Sequence, residues 1–464
     1  MKNVVMKSTI GERLSHWAVD LTCERIPVEV QHSAARHLLD GVALVIAAHR
    51  LNAASAACSV ARSLASPVGV RMLGGNELLV VPAAALANGV LVHALDFDDT
   101  HAQGLVHATA VTLPAAFAVG QSMKSSGAEV LAAVVVGYET VCRVAAGSPH
   151  GFHARGMHAT SVCGTLSAAL ITSCLQRSSA GIAVNALGIA ASTSGGLLEF
   201  LDTGSDTKTL HPGLASMNGV IAAELAAAGG QGPSTFIEGR RGLYASLSAR
   251  DADTESVVAG LGEWWETQHI SIKPIPACQL MHVTLDAAKG SPISVQDITR
   301  IEVVVHPDSS PTVCEPRDIK NSPRTPYEAK FSLPWSLAAQ LVDGEVSIDT
   351  YRIENLGRPD ISRLAQMVEV NLGPDEGVAA EAPGQIRIHT TTGSVWQGSV
   401  TGSRGTPQHP LTDDELLRKF RANCGESNQA DELADLVLHL VDQPNVDRIH
   451  DLASSIVSRE VQPA

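Results

Sequence analysis

The sequence predicts a mainly α protein: a large all-helical domain built from both chain ends, residues 1–268 and 403–464, plus a smaller inserted α+β domain, residues 269–402. Three observations carry this. Alanine-rich segments with apolar residues three and four apart occupy most of residues 9–228, the pattern turns to alternation near Ile301, and helical periodicity returns after Leu411.

In chain order, Pro27 suits a first helical turn, and Ala34, Leu38, Val42 and Val45 form one face along Val28–Ala48. Segments 53–64, 82–95, 108–120 and 128–145 continue the pattern, with Ser126 placed to cap the last of them. So many small side chains let helices approach closely, which predicts stacked, buried helices. Helices are expected again at 165–175 and 182–191. The Ser-Thr-Ser-Gly-Gly run ending at Gly196 then interrupts, and Gly204–Gly213 reads as a polar loop before a helix through Ala228. In the inserted region, 301–306 alternates, 367–371 is a short strand, and 385–389 with 395–400 flank a Thr-Thr-Gly turn. Thr412 and Glu415 form a capping box that opens a helix through Phe420, and 431–441 and 448–457 are helical. These last helices are expected to pack back on the first domain.

Composition narrows the function. Charged residues are only 17% and hydrophobic ones 45%, which excludes a disordered chain. No apolar run reaches eighteen residues, so no membrane span is expected. A net charge of −15 disfavours nucleic acid and anionic membranes as partners. The eight cysteines lack any Cys-x-x-Cys pair and read as reduced thiols; with an N-terminus free of a secretory h-region, this points to the cytoplasm.

The chemistry concentrates between His93 and Pro114. Asp96, Asp98, Asp99, Thr100, His93, His101 and His107 fall between two apolar helices, and so dense a polar cluster beside a core needs partners or a task. Three further polar stretches precede or interrupt apolar helices: 151–165 with His153, Arg155 and His158; 206–211 with Lys208 and His211; and 272–282 with Lys273, Cys278 and His282. Converging, they supply lysines, histidines, an aspartate and a thiol. That set suits removal of a proton alpha to a carboxylate, since ammonium groups stabilise the enolate-like charge and near-neutral imidazoles carry the proton. Elimination, decarboxylation and epimerisation share this first step.

Simpler roles stand beside these. Asp98 and Asp99 can cap the next segment or pair with Arg155 or Arg143, His93 and His101 can be structural, Cys278 can be an inert filler, and Trp264 and Trp265 can pack at the domain junction. Asp96–Thr100 also reads Asp-x-Asp-Asp-Thr, as in a class II terpene cyclase, but five Trp, four Tyr and seven Phe cannot line a carbocation cavity. A metal hydrolase would call for a His-x-x-x-His or His-Glu-x-x-His pair, which the chain lacks, so no metal is expected. A non-enzymatic ligand-binding scaffold is the remaining alternative, and it would exchange no substrate protons.

The motifs His-Ala-Leu-Asp-Phe-Asp-Asp-Thr-His, Gly-Met-His-Ala-Thr-Ser-Val-Cys-Gly-Thr, Gly-Ser-Asp-Thr-Lys-Thr-Leu-His-Pro-Gly, Lys-Pro-Ile-Pro-Ala-Cys and Glu-Ala-Lys-Phe-Ser-Leu-Pro-Trp resemble the successive signatures of the MmgE/PrpD family. That family includes 2-methylcitrate dehydratase, cis-aconitate decarboxylase and iminodisuccinate epimerase. The resemblance implies an all-helical domain from both chain ends, an α+β lid, a homodimer, a small polycarboxylate substrate and no cofactor. It places Asp96, Thr100, His107, His158, Lys208 and Lys273 at the pocket. His107 is offset by one residue from the decarboxylase pattern, and Cys278 stands where decarboxylases carry a histidine, a loss for which His282 could compensate. The expected roles are His158 and His107 as acid/bases, Asp96 and Lys208 in catalysis, and Thr100, Lys273, Cys278, His282 and His211 in substrate binding. A hydro-lyase of the 2-methylcitrate dehydratase type is the expected activity, ahead of an epimerase and then a decarboxylase.

Overall fold

A computed structural model of the protein describes residues 8–460. The chain is mainly α, with its sheets small. The N-terminal stretch read for a secretory signal lies, up to residue 7, outside the described residues. Among the described residues no single helix is long and apolar enough to cross a membrane.

The larger hydrophobic core gathers residues from Ile10 to Ile272 and from Leu411 to Val457. Helices Val28–Arg50, Val81–His93, Ala108–Met123, Gly127–Ala146, Ala159–Leu175 and Thr207–Ala227 supply most of it. Ser126 caps its helix reciprocally with Glu129, and Thr412 does the same with Glu415 for helix Asp413–Cys424. The C-terminal helices pack on Val28–Arg50, as their periodicity predicts.

The smaller core is drawn from residues 275–388 together with Ala102, and Trp335 is fully buried in it. Its sheet runs in the order Val368–Leu372, Ile298–Val305, Gly384–Thr390, Val395–Val400; the first pair is parallel and the others antiparallel. Helix Gln279–Ala288 lies against it, and Gly384 lets the strand pass close to the Val283 carbonyl.

Two sequence expectations need correction. Gly204–Gly213 is not wholly a loop: helix Thr207–Ala227 begins inside it and carries Lys208, His211 and Pro212 in its first turns. Pro212-Gly213 reads as a breaker, but Gly213 faces Gly89 of helix Val81–His93, where an added Cβ at Gly89 would lie 2.6 Å from the Gly213 Cα. Helix contact overrides local propensity. The segment after residue 64 also forms an unforeseen hairpin, Ala65–Arg71 with Leu78–Leu79.

Candidate active site

The acidic loop is fixed at three points before any substrate arrives. Thr100 and His101 pair antiparallel with Ser271 and Ile270, which delivers Lys273 to the loop from the far side of the sequence. Lys419, from helix Asp413–Cys424, donates to Asp40 and to the Phe97 carbonyl and lies 3.8 Å over the Phe97 ring. Asp99 accepts from the Thr109 backbone at 2.9 Å and from its hydroxyl, and stands 2.9 Å from His37. Asp99 therefore does cap the following helix, and neither it nor Asp98 meets an arginine: Arg143 pairs instead with Glu139.

Asp96 sits at the centre in the left-handed backbone region, φ 51°. That conformation is tolerated by aspartate more than by most residues, and here the Lys273 ammonium holds it by donating to the Asp96 carbonyl at 3.0 Å. Asp96 Oδ1 accepts from Lys208 at 2.9 Å and from Lys273 at 3.2 Å. Burial alone would raise this carboxyl, but the two ammonium groups outweigh it and hold Asp96 well below the usual carboxylate range. Asp96 thus grips two lysines.

His107 and His158 occupy equivalent places, each the N-cap residue of a buried helix, Ala108–Met123 and Ala159–Leu175. An N-cap has extended backbone, so its side chain leaves the helix axis at the end where backbone N–H groups and the helix dipole oppose positive charge. Burial pushes both imidazoles well below their ordinary range, and the nearby Lys208 ammonium pushes the same way. Both are neutral at pH 7. The tautomer of His107 follows from its partners. Nδ1 stands 3.0 Å from the Asp99 carbonyl and 3.5 Å from Asp98, both acceptors, so Nδ1 carries the proton; Nε2 then accepts from Lys208 at 3.3 Å. Thr100 Oγ1 lies 3.4 Å from the same Nδ1.

His93 Nδ1 faces Asp98 at 2.8 Å, and its ring centre is 4.6 Å from that of His107. The stretch did mark His93, but as structural; its position inside the cluster makes it part of the site. His158 Nδ1 stands 3.0 Å from His211 Nδ1.

These groups surround a cavity of about 50 Å³ lined by Thr100, His107, His153, His158, Lys208 and Phe200 on one side, and by Cys278, Gln279, Leu280, Thr312 and Phe331 on the other. Lys208 lies 4.8 Å over the Phe331 ring. Seven of the nine residues expected from sequence reach this centre: Thr100, His107, His158, Lys208 and Cys278 line it, and Asp96 with Lys273 belongs to the ion cluster beside it. Lys273 is fully buried behind Asp96 and does not line the cavity. His282 does not line it either: its Nε2 is bound to the Ala277 carbonyl at 3.1 Å, and burial pushes the ring down to about 3. His211 stands behind His158 rather than in the cavity. Burial pushes it down to about 4.

Residues that the sequence reading passed over also meet here. Tyr327 has a buried hydroxyl without a partner and its ring is 6.0 Å from Phe200, while Lys330 is buried and donates to the Leu95 carbonyl. Tyr327 immediately precedes the Glu-Ala-Lys-Phe motif and Lys330 lies within it, so the motif itself was the available signal. Burial pushes Lys330 down to about 8.

Ring nitrogens of His93, His107 and His158 lie close enough together to hold an ion, as do ligand atoms of His93, Asp96, Asp98 and His107. Neither set fits a divalent cation well: His107 Nε2 already faces an ammonium, and Asp96 is shared by two.

Buried helices thus enclose a site of lysine ammonium groups and neutral histidines, a set suited to acid/base chemistry beside negative charge. The chain belongs to the MmgE/PrpD family: the family's N-terminal domain matches residues 12–255 and its C-terminal domain residues 275–441. Among its relatives are cis-aconitate decarboxylase of Aspergillus terreus, 27% identical over 96% of this chain and 95% of the relative, and cis-aconitate decarboxylase-like protein oryM of Aspergillus oryzae, 24% identical over 97% and 98%. Human cis-aconitate decarboxylase is 27% identical over 76% of this chain and 75% of the relative.

Proposed function

We propose that the protein is a cofactor-independent lyase that removes a proton alpha to a carboxylate of a small di- or tricarboxylate. The observation that carries this is a neutral, buried His158 lining a cavity in which Lys208 supplies fixed positive charge. His158 takes the proton. Lys208 stabilises the charge that develops on the carboxylate, held in place by Asp96, whose second lysine, Lys273, keeps it ionised and oriented. Thr100 hydrogen-bonds substrate oxygen, and Lys208, which stands 3.3 Å from His107 Nε2, donates to a departing hydroxyl. This arrangement favours a hydro-lyase of the 2-methylcitrate dehydratase type.

The relatives' names favour a second reading, decarboxylation of cis-aconitate, over nearly the full chain. Against it stands Cys278, where the decarboxylase pattern has a histidine: its thiol is pushed up by burial and is a poor proton donor to a carbanion. Epimerisation asks for a second free acid on the opposite face, and His107 Nε2 is engaged with Lys208. In this reading residues 269–402 act as a lid on a helical body of residues 1–268 and 403–464, in a cytoplasmic homodimer; light scattering of the purified protein tests the dimer.

Incubation with 2-methylcitrate, citrate, cis-aconitate and iminodisuccinate, each followed by proton NMR, tests the function. Dehydration of a hydroxy acid is expected. Loss of CO2 from cis-aconitate with no dehydration establishes the second reading, and no conversion of any of the four contradicts both.

A further inference from the structure

The site contains a feature that proton abstraction alone does not require. His158 and His211 face each other through like atoms, Nδ1 to Nδ1, 3.0 Å apart. Two lone pairs at that distance repel and two N–H groups collide, so one proton lies between them and the rings take opposite tautomers. The outer nitrogens of these two rings also differ from those of their neighbours. His93 Nε2, His153 Nδ1 and His282 Nδ1 are sealed in without a partner, whereas neither His158 nor His211 has such an atom.

The rings open on different spaces. His158 lines the inner cavity, and His211 lines a separate cleft of about 470 Å³ with Ser161, Thr165, Gly196 and Asn218. Phe200 touches both spaces and separates them. The pair bridges the partition. His211 projects from the first turns of helix Thr207–Ala227, three residues beyond Lys208, so one helix places the carboxylate-binding ammonium and this second imidazole. The His158 backbone is tied on the same side, its N–H donating to the Gly196 carbonyl at 2.9 Å.

We propose that His211 is a positioning residue that sets the tautomer of His158 and relays its proton to the outer cleft. The inference rests on His158 being the base of the proposed reaction. With the shared proton on His158 Nδ1, its Nε2 lone pair faces the cavity and accepts the substrate proton as the C–H bond breaks. The Nδ1 proton then passes to His211 Nδ1, and the Nε2 proton of His211 leaves to water in the outer cleft. After this transfer His158 carries its proton on Nε2 and is an acid toward the cavity; reversal of the chain resets it. One proton enters at His158 Nε2, one crosses between the two Nδ1 atoms and one leaves from His211 Nε2, so the base becomes the acid with no net gain or loss of charge in the buried pair.

The first test needs no substrate. Ligand-free enzyme labelled with ¹⁵N at histidine, assigned with His211→Gln, is examined by long-range ¹H–¹⁵N NMR. Opposite tautomers for His158 and His211 are expected; both rings protonated at Nε2 overturns the proposal, whatever the enzyme's activity. The second uses whichever of citrate, 2-methylcitrate or cis-aconitate is turned over. His211→Ala is expected to lower kcat by about 10²-fold with KM changed little, the scale of a lost proton-transfer group. Imidazole added to the solution enters the outer cleft and restores part of the rate. Should the alanine variant fail to fold, His211→Gln, which holds His158 but relays no proton, carries the same rate expectation. A wild-type rate in either variant, or a lost rate in folded His211→Ala that imidazole leaves untouched, overturns the relay. Opposite tautomers with none of the three acids converted would remove the reaction assigned above while keeping the paired rings.

Discussion

The two walls of the cavity carry different things. The wall from the helical body presents Thr100, His107, His158 and Lys208, three of them titratable and each placed by a helix end or a paired loop. The wall from residues 278–331 presents Cys278, Gln279, Leu280, Thr312 and Phe331, a cover of weak polarity. Two lysines of the second region reach the centre without lining the cavity: Lys273 stops behind Asp96, and Lys330 donates to the Leu95 carbonyl. The difference teaches a division of labour for the proposed reaction: the helical wall holds the acid/base groups, and the second region covers them and sends Lys273 to Asp96.

Substitutions on the two walls should therefore differ in kind. The largest effect is expected from His158→Ala, which should lower kcat by about two to four orders of magnitude with the fold intact, as measured by steady-state kinetics and circular dichroism. Lys208→Met comes next. It should reduce kcat/KM by about 10²-fold and raise KM, because it removes the cation that meets the substrate carboxylate. Lys273→Met should act on stability instead, since it leaves Asp96 buried with half its compensation; a loss on the order of 3 kcal/mol in urea unfolding is expected. An equal effect of the two lysines on KM would erase the distinction between walls. The smallest effect belongs to Cys278→Ala, with activity kept within about threefold, a change worth well under 1 kcal/mol.

Acid sharpens the same comparison. His211, pushed down to about 4, and His153 and His282, pushed down to about 3, have folded values below the ordinary imidazole value, burial being the first cause in each. The unfolded chain therefore binds more protons than the folded one between those values and about 6.5, so stability falls as pH drops through that window. Asp96 acts in the same direction at lower pH: its depressed carboxyl keeps its contribution until the pH falls below about 4, the ordinary carboxylate value. Melting temperature should hold steady above about pH 7 and decline steadily from pH 6.5 to 4. A melting temperature flat across that interval contradicts neutral burial of these rings.

Much of this was legible in the sequence for a physical reason. A polar cluster in an alanine-rich helical background stands out because burial of charge is costly, and that contrast marked the four polar stretches; the resemblance to the family then singled out Asp96, His107, His158 and Lys208 within them. The strands at 385–389 and 395–400 were equally visible through alternation, and they fall within Gly384–Thr390 and Val395–Val400. What failed was direction. Sequence placed Lys273, His211 and His282 in the right neighbourhood but could not say which way each faces, and all three turn to protein partners: Asp96, His158 and Ala277. Tyr327 and Lys330 were not singled out, although Lys330 lies inside a quoted motif, because a single tyrosine or lysine in a short helix gives no periodic contrast. The Pro-Gly pair at 212–213 misled because its helix is stabilised by tertiary contact with Gly89, which leaves no local trace.

The central claim is that His158 removes a carbon-bound proton from a polycarboxylate. Its most direct measurement is incorporation of solvent deuterium at the carbon next to the carboxylate, followed by NMR in D2O with 2-methylcitrate and citrate, for wild type and His158→Ala side by side. Exchange or elimination in the wild type that falls by about 10²-fold or more in the variant is the expected result. Exchange that proceeds equally in both proteins contradicts the claim.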